Sequence, residues 1–362
     1  MAHDRKRTSA LAAVVALSAL LAGCSAPSPQ GAPTGEYAPV PDLVTTEEVT
    51  FRESFEMSPE DTHEYWSDPT IFNNADTFNY TSPDGAIGEQ SADRPTGAYI
   101  EPTDGMEIGE NGNGPGDVAT AQEFEPDGLA KNATGRLYIA FGDQFNFVCS
   151  ATVVNSRTGS VVATAAHCLV DTETGELAKN ALFVPDDYDN GRDQPHGAWS
   201  AVDMVVPSTF IDGVKKSNTD IEGDGWTYDF GFLVMEEQDG SPIQEVTGAM
   251  GIAFGVPTKT LISTGYPAAG QFDGSKRFFC STTGFEHGRF GGYYWPCNMT
   301  PGMSGGGVFA YYDSERSSGY LVAVNSLVYF EDGDQDAVHH TESAVLGEQA
   351  QQLYVEAGGW GS

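Results

Sequence analysis

Three polar residues stand in local sequences that suit nucleophilic catalysis. Ser304 lies among glycines in PGMSGGG, His167 follows the β-branched run of SVVATAAHC, and Asp229 directly precedes the apolar run FGFLV. A serine hydroxyl becomes a nucleophile when a histidine within hydrogen-bond reach takes its proton, and a buried carboxylate orients that histidine. These residue types are therefore sufficient for covalent acyl transfer if the fold brings them together.

The histidine segment resembles a known motif. TAAHC, residues 164–168, resembles the histidine motif of the trypsin-like serine peptidases, a family that orders its catalytic residues as His, Asp, Ser. The resemblance implies that His167 is the general base, Asp229 its partner and Ser304 the nucleophile. Asp220 and Asp224 are nearby alternatives, but both lie in a Gly-rich acidic loop, whereas the apolar run after Asp229 predicts burial.

The serine segment resembles the same family. TPGMSGG, residues 300–306, resembles its serine loop, which implies that the N–H groups of Gly302 and Ser304 form the oxyanion hole. Met303 stands where trypsin-type zymogens carry an aspartate, so activation through that salt bridge is not expected. The GYP that follows TLIST resembles the glutamyl-endopeptidase or V8-like branch.

A different enzyme class also fits the serine segment. Residues 302–306 spell G-x-S-x-G, the nucleophile elbow of α/β-hydrolases, which needs the order Ser, Asp, His. Suitable residues do follow Ser304: Asp332, Asp334, Asp336, His339 and His340. However, VFAYY after the glycines is strand-like, while an elbow needs a helix there, so the pattern favours the trypsin-like interpretation.

The resemblance also assigns a substrate pocket. It is implied to be lined by Asn298 and by residues 324–327, which include Asn325 and Ser326. There is no carboxylate at Asn298 to attract Lys or Arg, and the histidine that glutamate-specific relatives usually place at or beside Asn325 is absent. A neutral residue before the scissile bond is therefore expected.

Short β-rich runs separated by turns fill the chain from about residue 131. They predict an all-β fold, which the resemblance specifies as two six-stranded antiparallel β-barrels of the chymotrypsin fold. Only residues 343–356 have helical spacing, with Gly358 beyond, so a closing C-terminal helix is expected. The runs are LYIAF, FVCSATVV, SVVAT, SAVDMVV, DFGFLVM, TLIST, VFAYY and YLVAVNSLVYF.

The N-terminal 130 residues differ in composition. A basic start, an apolar stretch and a lipobox-like LAGC predict a signal peptide over 1–23 and a lipidated Cys24, hence export to the outer face of a bacterial membrane, anchored or secreted. A Pro/Ser/Gly-rich tether over 24–42 follows. Residues 43–130 are acidic and broken by Gly, Asn and Pro, which predicts a loosely ordered pro-segment or a permanent spacer before a peptidase domain over 131–362.

Four cysteines remain after Cys24, an even set in an exported chain. Two disulfides are expected, Cys149 with Cys168 beside the histidine, and Cys280 with Cys297 before the serine loop.

The charge balance limits the partners. In 362 residues, 17 basic and 52 acidic side chains give a formal net charge of −35, which disfavours nucleic acid and favours a soluble monomer. No cofactor or metal is expected: His196, His287, His339 and His340 lack a metal-ligand spacing. The acidic loops 220–224 and 332–336 do not match an EF-hand, so solvated turns are expected rather than Ca²⁺ sites.

Together these patterns predict a serine endopeptidase that acts on proteins or peptides through an acyl-enzyme. The alternative is a catalytically silent homologue that serves as a surface binding protein. Reaction of Ser304 with an active-site reagent separates the two.

Overall fold

The computed structural model describes residues 49–361 except 79–80, 83–87, 89–96, 110–113, 143–144, 217–220 and 331–336. The expected signal peptide, Cys24 and the tether lie outside the described residues, as do Asp220 and the acidic loop at 332–336. Within the described ranges, no helix is long and apolar enough to span a membrane.

The strands, numbered in chain order, are β1 (Thr50–Ser54), β2 (Asp76–Thr77), β3 (Thr81–Ser82), β4 (Ala98–Ile100), β5 (Val118–Glu123), β6 (Thr134–Phe141), β7 (Phe145–Val153), β8 (Val161–Thr164), β9 (Asn180–Pro185), β10 (Trp199–Pro207), β11 (Lys215–Lys216), β12 (Ile221–Glu222), β13 (Gly231–Met235), β14 (Gly251–Phe254), β15 (Leu261–Gly265), β16 (Phe278–Thr282), β17 (Glu286–His287), β18 (Tyr293–Pro296), β19 (Gly307–Asp313), β20 (Ser318–Phe330) and β21 (Val338–Val345). The helices are α1 (Pro59–Trp66), α2 (Pro69–Phe72), α3 (Leu129–Ala133), α4 (Ser208–Gly213), α5 (Ile243–Thr247) and α6 (Glu348–Glu356). Short 3₁₀ turns cover Ala166–Cys168 and Asp224–Tyr228.

The first sheet closes into a barrel. Its strands run in the order β10, β13, β8, β7, β6, β9, and β9 pairs with β10 to complete the ring, which is the expected six-stranded barrel. β-branched and aromatic residues suit this pleated surface, and their inward side chains form the core, including Val153, Val162, Phe183, Val205 and Leu233. Burying each side chain of this kind contributes about 1.5–3 kcal/mol.

The second sheet is built around the 13-residue strand β20, which pairs antiparallel with β19 and β21. β15 and β16 continue the sheet beyond β19, and β18 lies beyond β21. These two barrel-like sheets confirm the expected all-β fold. The nucleophile-elbow alternative is wrong, because Ser304 is followed by strand β19 and not by a helix.

The C-terminal helix is present, but it is shorter than its sequence spacing suggests. It begins at Glu348, while Ser343 and its neighbours belong to β21, where Ser343 pairs with Asn325 of β20. Pairing with the long strand overrides the helical spacing of residues 343–347. Gly358, at φ +108°, follows the end of the helix.

The described parts of residues 49–130 are incorporated into the fold, so the expectation of loose order is wrong for them. β1 pairs antiparallel with β10, and β5 pairs antiparallel with β16. α1 begins at the N-cap Ser58 with Pro59 in its first turn, and Trp66 is buried with its indole N–H donating to Asn180 Oδ1 at 2.6 Å. These segments bury isolated aromatic residues against the barrels instead of forming a core of their own, so they show little periodicity.

Candidate active site

Adjacent strands bring His167 and Asp229 together. His167 lies in the 3₁₀ turn that follows β8, Asp229 lies just before β13, and these strands pair with Gly231 opposite Thr164. His167 Nδ1 lies 2.7 Å from Asp229 Oδ2, and the His167 backbone N–H donates to Asp229 Oδ1 at 2.8 Å. Both side chains are fully buried. A carboxylate at Nδ1 selects the tautomer that leaves Nε2 as the basic nitrogen.

Ser326 completes the surroundings of the aspartate. Its hydroxyl donates to Asp229 Oδ2 at 2.5 Å, so side-chain and backbone donors orient this carboxylate together. Ser326 was expected to line the substrate pocket, and the structure shows its hydroxyl bonded to Asp229. No local motif signals the contact, because Ser326 lies 97 positions from Asp229.

The serine loop, residues 300–306, lies against the histidine segment. The Ser304 carbonyl accepts from Ser150 N–H at 2.7 Å. A Cβ on Gly305 would lie 2.1 Å from Thr164 Oγ1 and 2.8 Å from Ala165 N, and Gly305 has φ +75°, so only glycine fits there. The close approach places Ser304 beside the turn that carries His167. The structure therefore brings the serine loop, which contains Ser304, against the turn whose His167 is bonded to Asp229.

Two peptide groups of the serine loop are held by their carbonyl oxygens. The Pro301 carbonyl accepts from Ala268 N–H at 2.8 Å, and the Met303 carbonyl accepts from Gly306 N–H at 2.9 Å. Because the N–H and C=O of a trans peptide point in opposite directions, the N–H groups of Gly302 and Ser304 point away from these anchors. Neither of these N–H groups donates a hydrogen bond to any described residue. This is the arrangement that an oxyanion hole requires.

Two buried polar side chains brace the same loop. Ser150 Oγ donates to the Gly302 carbonyl at 2.9 Å and accepts from Tyr266 N–H at 2.9 Å. Asn325, fully buried, donates from Nδ2 to the carbonyls of Thr264 at 3.0 Å and Met303 at 3.4 Å. An unmade buried hydrogen bond costs about 1–3 kcal/mol, so these contacts fix the loop conformation.

The predicted pocket residues therefore have other partners. Asn325 Oδ1 accepts from Ser263 Oγ at 2.7 Å, which turns this side chain into the interior of the second sheet. Asn298 Oδ1 accepts from the Ala121 N–H of β5 at 2.6 Å, so its amide connects an N-terminal strand to the segment just before the serine loop. The sequence pattern did not reveal either contact, because both partners are distant in the chain.

Glu342 holds the loop at Phe290–Gly292, a role that no motif predicted. Its buried carboxylate accepts from Phe290 N–H at 2.9 Å, from Gly292 N–H at 3.1 Å and from the Tyr329 hydroxyl. Burial raises the pKa of Glu342 above its ordinary value. The loop it holds contacts the catalytic region, since Thr227 Oγ1 donates to the Phe290 carbonyl at 3.0 Å and the neighbouring Trp226 ring lies 6.0 Å from the His167 ring.

Both expected disulfides are present. Cys149 of β7 is bonded to Cys168, the residue after His167, and Cys280 is bonded to Cys297. His167 and the first pair form the group of potential metal ligands found among the described residues. Since both sulfurs are in a disulfide, neither is available as a thiolate ligand.

A search of protein-family models found no match for this chain. Solved structures do match: the chain is 30% identical to the protease Anisep from Arthrobacter nicotinovorans, with a TM-score of 0.55, covering 66% of this chain and 99% of that one. It is also 30% identical to a thermostable serine protease from an extremophilic microorganism, with a TM-score of 0.50, covering 63% of this chain and 97% of the other. The chain belongs to the trypsin-like serine proteases.

Part of the chain is also similar in sequence to a glutamyl endopeptidase. The glutamyl endopeptidase of Bacillus licheniformis is 30% identical over 124 residues, which are 33% of this chain and 32% of that protein. The match thus spans about a third of that relative's length. The predicted family and its likeness to the glutamyl-endopeptidase branch are confirmed, and the relatives support a peptide-bond hydrolase.

Proposed function

We propose that this protein is a serine endopeptidase that acts through His167, Asp229 and Ser304. The observation that carries the proposal is the buried His167–Asp229 pair at 2.7 Å, with the serine loop packed against the histidine turn. The proposal agrees with the solved relatives, which are proteases.

The chemistry follows from these positions. Ser304 Oγ forms a bond to the substrate carbonyl carbon while its proton passes to His167 Nε2, and the negative oxygen is stabilised by the N–H groups of Gly302 and Ser304. The C–N bond then breaks as His167 returns the proton to the leaving amine. Water repeats the sequence on the acyl-enzyme, which releases the carboxylic acid and restores the Ser304 hydroxyl.

Labelling with a fluorophosphonate tests the nucleophile. After prolonged incubation with excess reagent, intact-mass analysis of the full chain should show one adduct at Ser304, and Ser304→Ala should show none. Ser156→Ala is the matched control, because Ser156 is also buried and its hydroxyl lacks a hydrogen-bond partner among the described residues. A folded protein that never reacts would contradict the enzyme proposal and support the silent surface-binding homologue.

A neutral residue before the scissile bond is proposed as the specificity. The support is the absence of an acidic side chain at Asn298 and of an imidazole at Asn325, whose amide is committed to the serine loop. A peptide-library cleavage profile should therefore show neutral residues at this position. Strong enrichment of Lys, Arg or Glu would contradict the assignment.

Export and lipid anchoring through Cys24 are proposed from the sequence of residues 5–24. In a bacterial host, Cys24→Ala should move the protein out of the detergent-soluble membrane fraction. Retention of the variant in that fraction would contradict the anchor.

A further inference from the structure

One N-terminal segment crosses from the first sheet to the second. This cleft segment consists of Asp76–Phe78 and Thr81–Ser82. Its strand β2 pairs in parallel with β7, with Thr77 opposite Val148, and its strand β3 pairs in parallel with β20, with Thr81 opposite Val328. β7 belongs to the sheet that carries the His167–Asp229 pair, whereas β20 belongs to the sheet that carries the serine loop. The segment therefore spans the two halves of the candidate site.

Phe78 places this segment at the catalytic histidine. Its ring meets the His167 ring edge to face, with 5.6 Å between centroids, and stacks on Phe147 at 4.2 Å. Phe78 is 6% exposed, while His167 is 0% and Ser304 6% exposed. The groups that must reach a substrate are thus buried in the full chain.

The second contact lies on a strand edge next to the catalytic aspartate. Ser326 of β20 bonds Asp229, and Val328, which pairs with Thr81, is two residues further along the same strand. An extended peptide gains main-chain hydrogen bonds by adding to such an edge. Further along the chain, Gly88 N–H donates to the His287 carbonyl at 2.9 Å, beside the loop that Glu342 holds.

The chain direction of the cleft segment determines whether it could be cleaved as a substrate. From Phe78 at His167 to Ser82 at Tyr329, the chain runs away from the catalytic pair and parallel to β20. The acyl part of a substrate on this edge must run towards Ser304, because its scissile carbonyl is at its C-terminal end. The segment therefore has the opposite polarity to a substrate and does not offer a scissile carbonyl in the productive orientation.

We propose that the edges of β7 and β20 form the substrate cleft and that the chain's own cleft segment occupies it in reverse polarity, which holds the enzyme latent. The inference rests on the proposed function, because it concerns the same Ser304. A tethered segment acts at an effective concentration on the order of millimolar, so a dilute peptide substrate competes poorly with it. Activity requires the segment to leave the cleft.

The rate of fluorophosphonate labelling of Ser304 tests the proposal on the full chain. Phe78→Ala removes the ring over His167, and Thr81→Pro removes the backbone N–H at the position that pairs with Val328 of β20. Each variant should label at least about tenfold faster than the wild-type protein, because weaker binding of the segment raises the fraction of molecules whose cleft is open. Peptide hydrolysis should rise in parallel.

Matched controls separate release of the segment from general loosening. Phe72→Ala removes an aromatic residue of the same N-terminal region that stacks on Tyr138, away from the site, and Thr81→Ala keeps the backbone donor. Both should label at the wild-type rate. Thermal unfolding of all variants establishes that the compared proteins are folded.

A measurement on the unmutated protein covers the case in which the substitutions prevent folding. When Ser304 carries the fluorophosphonate adduct, amide hydrogen exchange of residues 76–78 and 81–82 should rise relative to the unreacted protein. Unchanged exchange, or variants that label no faster than a readily labelled wild type, would overturn latency and leave the enzyme proposal intact. Failure of every folded form to label would instead overturn the proposed function.

Discussion

The serine loop and the cleft segment meet the same histidine turn, yet they are held in different ways. The serine loop is fixed by buried hydrogen bonds from Ser150, Ala268 and Asn325, all within residues 131–362. The cleft segment is held by two short parallel pairings and by the packing of Phe78.

This difference makes the serine loop a permanent part of the fold and the cleft segment a part that can be released. Each buried bond of the serine loop costs about 1–3 kcal/mol if it is left unmade, so this loop changes conformation only with the whole domain. A two-residue strand pairing can open locally and return its polar groups to water. In the proposed enzyme, the loop that would form the oxyanion hole is therefore already in place beneath a segment that can leave, which agrees with Met303 at the position where the resemblance expects the zymogen aspartate.

The largest expected effect comes from the catalytic pair. In the Phe78→Ala background, Asp229→Asn should lower kcat/KM by about 10⁴-fold, because the amide favours the wrong tautomer of His167. Steady-state hydrolysis of a peptide substrate measures the loss. Asp224→Asn, a change at an exposed aspartate nearby, should leave the rate unchanged, and equal losses in both variants would contradict the pairing.

The next effect tests the rigidity of the serine loop. Gly302 has φ +102°, and a Cβ there would lie 2.6 Å from the Tyr266 carbonyl oxygen. Gly302→Ala should displace an oxyanion donor and lower kcat by about 10²–10³-fold. Gly116→Ala is the control, because Gly116 also has a positive φ but has open space at its Cβ. Similar kinetics for the two alanine variants would show that the loop tolerates displacement.

Removal of either disulfide should lower stability by a similar amount, but the two removals should affect activity unequally. The bonded cysteines are 19 and 17 residues apart, so replacing either pair by alanines should cost about 3 kcal/mol of unfolding free energy in the chain-entropy model. Loss of Cys149–Cys168 should also slow labelling of Ser304, since this bond adjoins His167. Urea unfolding and labelling rates measure the two effects, and equal labelling after both replacements would argue against a special role for the first bond.

The smallest effect concerns the pH dependence of stability that Asp187 contributes, in a loop that contacts the N-terminal region. Burial raises the pKa of Asp187 to about 6, and the loop that carries it contacts Phe72 through Gly191. A carboxyl whose pKa is raised in the folded state contributes stability that is present below its unfolded pKa and is lost as the pH rises through the folded pKa. Between pH 4.5 and 7 this loss should be about 2 kcal/mol.

Urea unfolding at the two pH values tests this contribution. Asp187→Asn removes the titrating group, so the pH dependence of its unfolding free energy should differ from that of the wild type by about 2 kcal/mol. Identical pH dependence in the two proteins would contradict the raised pKa.

The residues of the candidate site could be located from the sequence because their signals are local. His167 and Ser304 stand in short motifs whose small residues are required by close backbone approach, as Gly305 shows against Thr164. The predicted strands were equally visible, because β-branched runs report directly on a buried sheet.

Long-range partners were not predictable from the same patterns. The sequence around Ser326 does not predict its hydrogen bond to Asp229, and the sequence around Asn325 does not predict its hydrogen bond to the Met303 carbonyl. Both contacts form only in the tertiary structure. The expectation of loose order was wrong for the described parts of residues 49–130 for a related reason. Trp66 and Phe78 are buried against the barrels, so their burial leaves no periodic pattern in their own segment.

The pairing of strand β1 with β10 determines what a cut in the backbone would do to the molecule. It pairs with β10 over five positions, and Trp66 is buried nearby, so this part of the chain is bound independently of the cleft segment. Both disulfides lie between residues 149 and 297 and do not reach it. A single backbone cut between β3 and β4 would therefore convert one polypeptide into a two-chain complex, intact in a native gel and separated into two bands by denaturant without any reductant.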